Sequence, residues 1–515
     1  MPDVDIELSS WDYTSAEPTV SFQIAAEPSA KSISHIDRDA QSAREPPLQA
    51  NELRRGVLVS ELLSGFGRVV RMRADDLTVA QRAELYSVSH GVHAIDMFIS
   101  HVCRTPGIKK YITLVVDRLG IFALLTAAVV PLMLFVLDAC CQDLVRLGSM
   151  GVHFSMLLGG VIAAWVACAF GHVLCRCTYC FYDCACICQS DPELKAAGIR
   201  NIPAIIRTSR ELVVLWDENY LTRLWCVYEL AVAQSVGIPI RILPIDMYAL
   251  LFESQILWAA SSVCHMLVEA QIRKISAGPY PYMGVILVFI PFYACQAYAG
   301  RRCADVAAKL QEQLEVFDVH SAAISVESDR DLIFVGIEEM FGSLSNFNDR
   351  VRTSLKSASM CGLIGQTAMI SYWGMLWQLL PSMPLLLSAW AGILHSSVPD
   401  RYGLPRCVFE ATLRFGVVPV CIAGAMELGK RFTSGVRPAG AWAALAYASV
   451  GVLIPAIRFP WAFVVRGVPA WIGASGYHWL GEMHLCTLIT ALAMNGLTWV
   501  AAVWVFHPQR QSTQQ

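Results

Sequence analysis

Charge is scarce in this chain. Asp, Glu, Lys and Arg make up 16% of 515 residues, against about 25% in soluble domains. The chain is 55% hydrophobic with a mean hydropathy of +0.48, so a membrane protein is expected and a soluble one is not. The formal net charge of −3 supplies neither a basic footprint nor a strongly acidic surface, and no nucleic-acid partner is expected. Glycine-rich phosphate loops of the GxGxxG and GKS/GKT kinds are absent, which disfavours kinases and P-loop ATPases. The histidines show no HExxH spacing, so a metallohydrolase has no support and no metal ligands are assigned. Met1 to Ser10 has neither a basic n-region nor an apolar h-region, so no cleaved signal peptide is expected. Residues 1–50, rich in Ser, Ala, Pro and acids, read as a disordered tail.

Long uncharged runs are what the chain has instead. Leu119 to Leu137 and Met150 to Leu174 contain no Asp, Glu, Lys or Arg. Each is long enough to cross a hydrocarbon core of roughly 30 Å as a helix, and together they form a hairpin over 119–174. Lys109, Lys110, Arg118 and Arg176 flank its outer ends, while the connection carries Asp138, Asp143 and Arg146. By the positive-inside rule the flanking segments face the cytoplasm. Further apolar runs make 357–506 a transmembrane bundle, with roughly seven to nine spans in the whole chain. Residues 247–300 read as a membrane-associated helix and a span. Leu250 to Val268 is open between a second span and a surface helix. Residues 301–356 are polar enough to form a cytoplasmic helical segment.

One stretch carries chemistry. Leu212 to Trp216 is a short run of Leu and Val that predicts a strand buried on both faces, and Asp217, Glu218 and Asn219 supply a polar turn. Leu221, Leu224, Val227, Tyr228 and Ala231 recur at helical spacing, Gly237 and Pro239 stop that helix, and Ile240 to Ile245 predicts another buried strand. The switch of period predicts a β-α-β unit on a parallel sheet.

The order of LVVLW, an Asn-Tyr turn, Trp225-Cys226-x-x-Glu229-Leu230 and IPIRILPI resembles the second half of a Toll/interleukin-1 receptor (TIR) domain. Tyr182-Asp183-x-x-Cys186-Ile187-x-Gln189-x-Asp191 is similar to the second-strand segment of TIR-like and heterokaryon-incompatibility (HET) proteins. Ile95 to His101, followed by Lys109-Lys110-Tyr111, is similar to the first strand and helix of that fold. The resemblance covers 91–118 and 178–246, with the hairpin inserted between them. It implies an α/β TIR-like domain with a flavodoxin-like parallel sheet, joined to a helical multi-pass transmembrane bundle. It also implies self-association or pairing with other TIR-like domains.

Glu229 sits where TIR-type NAD glycohydrolases carry their catalytic glutamate. Cleaving the bond from ribose to nicotinamide builds positive charge on the sugar, which a fixed carboxylate stabilises. NAD would be a substrate, and no cofactor is required. The alternative is a solvated acid on a packing helix. Phe98 and Ser100 end the first strand and border the same pocket by the family's geometry, or are ordinary strand packing. Trp225 either stacks on a base or nicotinamide ring or belongs to the core. Arg207 and Arg223 are phosphate partners or solvated surface.

Six of the 18 cysteines cluster as Cys175, Cys177, Cys180, Cys184, Cys186 and Cys188. The last three alternate, as small buried residues on one face of a strand would. Cys175, Cys177 and Cys180 are juxtamembrane candidates for lipidation, and a thiolate metal site is a third reading, with no second paired half to support it. Glu410, Arg414, Glu427 and Arg466 fall within apolar runs and either line a pathway or snorkel at interfaces. Two function classes follow: a membrane-anchored TIR-like signalling module that hydrolyses NAD through Glu229, and a transporter or channel regulated by the TIR-like domain.

Overall fold

The computed structural model describes residues 53–140, 151–275, 287–355, 383–394, 413–435 and 440–462, with a few isolated positions between. The tail at 1–50, the runs beyond 462, and Glu410 and Arg466 lie outside the described residues.

Six strands form one sheet: β1 Arg55–Leu58, β2 His90–Gly91, β3 Ile95–His101, β4 Tyr179–Phe181, β5 Ser209–Trp216 and β6 Ile240–Pro244, in the order β2-β1-β4-β3-β5-β6. The four central and right-hand strands β4, β3, β5 and β6 are parallel, as predicted. The whole sheet, however, is mixed. Residues 55–91 add two antiparallel edge strands that pair through Val57 with Cys180 and through Arg55 with Gly91. Strands of four and two residues are too short to show a period, so the sequence gives no sign of them. β3 and β5 are buried along nearly their whole lengths, because helices cover both faces of the sheet. That is why they read as continuous apolar runs.

The β-α-β unit forms close to the predicted bounds. The helix is Leu224–Val236, and it ends at Gly237, whose φ of 76° puts it in the left-handed region while its N–H bonds to the Ala233 carbonyl at 3.0 Å. Its start differs from expectation. Asp217 Oδ1 accepts the Asn219 N–H at 3.0 Å, and a 3₁₀ turn at Tyr220–Thr222 intervenes. The polar turn therefore folds on itself and leaves the helix without a side-chain cap.

The crossover from β3 to β4 is the apolar hairpin. Its first arm is a single helix, Gly107–Cys140, and its second is Gly151–Phe170. No residue breaks the chain at 118, so the helix that packs on the sheet through Leu114, Val115 and Leu119 continues without a joint into the apolar run. Among the described residues three helical segments are long and apolar enough to cross a membrane: Gly107–Asp138, Ser155–Leu174 and Ile245–Val268. The third belongs to the helix Ile245–Ile275, so length and composition favour the spanning form of that open segment.

Two expected boundaries move. The span expected within 247–300 is described from residue 287 onward, where a continuous helix, Ile290–Glu315, runs past 300 and carries polar residues along its second half. The segment expected as a separate cytoplasmic unit at 301–356 shares the sheet's core through Val306, Leu310, Leu314, Ile333, Ile337 and Phe347. A strap at Ala323 completes the attachment. Its N–H bonds to the Thr222 carbonyl at 2.8 Å and its carbonyl accepts the Leu224 N–H at 2.9 Å. The Glu229 helix is thereby held between the sheet and the helix Ser328–Phe341.

Candidate functional site

The parallel strands run in the order β4-β3-β5-β6, so the chain leaves β3 toward one side and later returns on the other. In open α/β sheets the crevice at the carboxyl ends of the two strands flanking such a reversal is where ligands bind. Here those ends are Ser100 and His101 of β3, in register with Val214 and Leu215 of β5, and Trp216 one residue beyond.

Glu229, on the first turns of Leu224–Val236, reaches this point. Ser100 Oγ donates to Glu229 Oε2, and Ser100 Oγ and Tyr220 Oη share a second bond at 2.6 Å. Tyr220 Oη in turn lies 3.3 Å from the Cys226 carbonyl that accepts from it. Glu229 is half-buried. Burial of the carboxyl pushes its pKa up to about 8; the Ser100 hydrogen bond opposes the rise, and the nearby Asp183 and Cys103 add to it. A carboxyl held at the brink of ionisation at neutral pH, at the mouth of a crevice, is a marker of a functional site.

The other expected nucleotide contacts separate. Ser100 is at the site, bound to Glu229. Phe98 is not: its ring is 1% exposed and stacks on Phe181 at 4.7 Å, because it shares the face of Ser100 but lies two residues further from the carboxyl edge, inside the core. Trp225 is partly exposed and packs edge to face on Tyr228 at 5.9 Å between ring centres, so most of its face serves packing. Arg223 donates to Ser325 Oγ at 2.7 Å, which fastens the strap. Arg207 is exposed.

Four residues that sequence reasoning passed over stand beside Glu229. His101, which follows Ser100, is buried with its ring stacked 4.7 Å from that of Tyr182, and its Nε2 lies 3.7 Å from Asp183 Oδ1. Cys103 Sγ lies 3.8 Å from Asp183 Oδ2. The Cys103 thiol is drawn below its ordinary value, first by a hydrogen bond with Cys184 and with help from His101, against the charge of Asp183. Thr105 donates to Asp217 Oδ2, which closes the loop after β3 onto the loop after β5. The only sequence signal was proximity: His101 and Asp183 both lie in the segments singled out for their family resemblance, yet 82 positions of chain, including the hairpin, conceal their meeting.

The cysteine cluster needs two corrections. Cys184 and Cys186 lie on a short helical turn, Asp183–Cys186, and not on a strand. They are buried because that turn tucks beneath β4, with the Cys186 and Tyr182 N–H groups both engaged locally. Cys180 is on β4 with no exposed surface and its thiol approaches the Val57 carbonyl at 3.3 Å, so no acyl-transfer enzyme can reach it and lipidation there is ruled out. Cys175 is half-buried and Cys177 exposed. A membrane-impermeant maleimide is therefore expected to label Cys177 in the folded protein and to spare Cys180 and Cys186 until denaturant is added. Rapid labelling of Cys180 under native conditions would contradict this packing.

Comparison with family models, curated proteins and solved structures returns no match for this chain.

Proposed function

We propose that the α/β unit is a TIR-like domain, split by a transmembrane hairpin, that signals from the cytoplasmic face of a multi-pass membrane protein by self-association or by pairing with other TIR-like domains and hydrolyses NAD through Glu229. The observation that carries this reading is the position of the Glu229 carboxyl. It lies at the carboxyl ends of β3 and β5, oriented by Ser100 across 129 positions of sequence, where the strand order reverses. The strand order β4-β3-β5-β6 supports the fold assignment, since it is second-first-third-fourth along the parallel part, the flavodoxin-like order.

The chemistry asks for one ionised carboxylate. The bond between ribose and the nicotinamide nitrogen breaks, its electron pair leaves with nicotinamide, and the sugar acquires positive charge that Glu229 stabilises. Water then attacks the sugar carbon and releases a proton, giving ADP-ribose. Ser100 and Tyr220 hold the carboxyl in place, and the pKa near 8 keeps about nine tenths of it protonated and silent at pH 7. The three apolar helices, with side chains such as Phe122, Leu125, Met133, Trp165 and Phe170 facing outward, support the bilayer as the first partner.

The test follows nicotinamide release from NAD by the full chain in membranes, with and without clustering by a bivalent antibody to an appended tag. Wild type should release nicotinamide when clustered, and Glu229→Ala should fall to the level of empty membranes. If clustered wild type does no better than empty membranes, the enzymatic reading fails and association without catalysis is what remains of the proposal.

A further inference from the structure

We propose that His101, Cys103, Asp183 and Cys184 form a binding site for a zinc-class divalent ion that joins the two chain segments lying on either side of the apolar hairpin.

A ring nitrogen of His101, a carboxylate oxygen of Asp183 and the Cys184 sulfur all lie within 4.8 Å of one another. Cys103 stands beside these three, with its sulfur 3.8 Å from Asp183 Oδ2, and would supply the fourth ligand. Tetrahedral zinc with bonds of about 2.0–2.3 Å has ligand-to-ligand edges of roughly 3.3–3.8 Å. The separation of 3.7 Å between His101 Nε2 and Asp183 Oδ1 matches such an edge, and Cys103, which approaches the other carboxylate oxygen, would join by a side-chain rotation. Two sulfurs, one imidazole nitrogen and one carboxylate oxygen are the donors of a zinc, cobalt or cadmium site, whereas calcium and magnesium require oxygen alone.

A second and independent observation points to a ligand. The His101 side chain is 2% exposed, and its Nε2 is buried with no hydrogen-bond partner. An unsatisfied buried ring nitrogen is costly. Neutral imidazole is the commonest metal ligand among side chains, and stacking on Tyr182 fixes the ring that would provide it. Access is open on one side, because Cys103 is exposed and Asp183 is partly so. The buried Lys110 lies in the field of Asp183, Cys103, Cys184 and Asp217. A dication together with Lys110 would set three positive charges against the four negative ones of two carboxylates and two thiolates.

The placement gives the ion a mechanical role. His101 and Cys103 follow β3, before the hairpin, while Asp183 and Cys184 follow β4, after it. β4 has only three residues with which to hold the second segment in the sheet. A metal bound across β3 and β4 would lock that pairing, and its binding energy would become folding energy of the split unit. This inference does not depend on NAD hydrolysis, and its test reads the metal directly.

The experiment uses the full chain in detergent, chelator-treated, desalted and kept reduced with a phosphine, and titrates it with Co²⁺. Wild type should take up one Co²⁺ with the intense visible bands of a tetrahedral ion and a thiolate-to-cobalt charge-transfer band, and Zn²⁺ should displace it. Cys103→Ser, at an exposed position, should keep the fold by circular dichroism, lose part of the charge-transfer intensity and bind about tenfold or more weakly, since even outer-shell changes cost that much. His101→Gln should weaken binding comparably, and Cys177→Ser, at an exposed cysteine outside the cluster, should bind as wild type. The proposal is overturned if wild type shows no charge-transfer band, if Cys103→Ser and His101→Gln both titrate like wild type, or if Cys177→Ser loses the signal. Recovery of Cys103 and Cys184 as a disulfide from untreated membranes would overturn it as well.

Discussion

Glu229→Gln stabilises the chelator-treated protein, and the gain grows with pH. Glutamine keeps an oxygen that accepts from Ser100 and carries no charge, so the variant retains the contact and removes the cost of ionising a buried group. With a folded pKa near 8 against an ordinary 4.5, the native state holds a proton that the unfolded chain gives up between those values. Stability contributed by the neutral carboxyl is complete below about pH 4.5 and is lost as pH rises through about 8. Wild type and variant should therefore melt together near pH 5 and diverge through pH 6 and 7. Above pH 8 they should differ by a plateau of roughly 2–3 kcal/mol, after allowance for the partial exposure of Glu229. Thermal melts at five or six pH values in one detergent read this out. A Glu229→Gln melt that stays below wild type at pH 8.5 would show that the carboxyl is a structural partner and carries no such strain. Gain of stability on removing a polar group is the pattern of a residue kept for function.

Arg241→Met produces the largest loss of stability outside the site. Arg241 on β6 bonds Asp117 on the first hairpin helix and reaches both oxygens of Glu211 on β5, at 3.1 and 3.2 Å. Arg118 pairs with the same acids, at 2.7 Å to Glu211 and 3.3 Å to Asp117. The Arg241 and Asp117 side chains are 9% and 7% exposed. Taking away one guanidinium leaves a buried carboxylate pair short of its partners, which costs about 3–5 kcal/mol. Burial would raise the Glu211 carboxyl, and Arg241 and Arg118 outweigh it, so its pKa lies below the ordinary 4.5. Glu211 thus contributes stability above about that pH and loses it as the solution becomes more acid, whereas burial raises the Asp117 carboxyl against the pull of Arg241 and Arg118 and acts in the opposite direction. The exposed pair of Lys309 and Glu218 provides the contrast, and Lys309→Met should cost no more than about 1 kcal/mol. Limited proteolysis of the two variants compares them without requiring reversible melting. Arg241→Met should be cut between β5 and the hairpin at far lower protease concentration than Lys309→Met, and equal resistance of the two would refute the account of this cluster.

The same cluster shows where sequence reading stopped. Arg118 was legible as a charge flanking an apolar run, and the positive-inside rule gave it a role at the membrane surface. Its guanidinium is in fact committed to the adjacent Asp117 and to Glu211, 93 positions away, a contact that no local pattern encodes. The β-α-β unit was legible for the opposite reason: a buried run, a helical stripe, a glycine stop and a second buried run each follow from neighbours along the chain. The edge strands at 55–58 and 90–91 and the three-residue β4 were not, because a strand that short has no periodicity. Cys184 and Cys186 show how alternation misleads, since a helical turn beneath the sheet buries both as effectively as a strand face would. Glu229 and Ser100 were both named from the family resemblance, but their contact, and the burial that pushes the carboxyl's pKa up, exist only once the chain crosses the hairpin and returns. His101 and Asp183 meet by the same route, and a search for local metal-binding spacing could not find them.

The pH profile of nicotinamide release tests the central claim most directly, because it asks whether the ionised form of this one carboxyl does the work. In clustered, chelator-treated membranes at saturating NAD, the rate should climb tenfold per pH unit below about 8 and level off above it. Glu229→Gln should show no release at any pH. A rate that is already flat from pH 5.5 upward, or release by Glu229→Gln equal to that of wild type, would contradict the account.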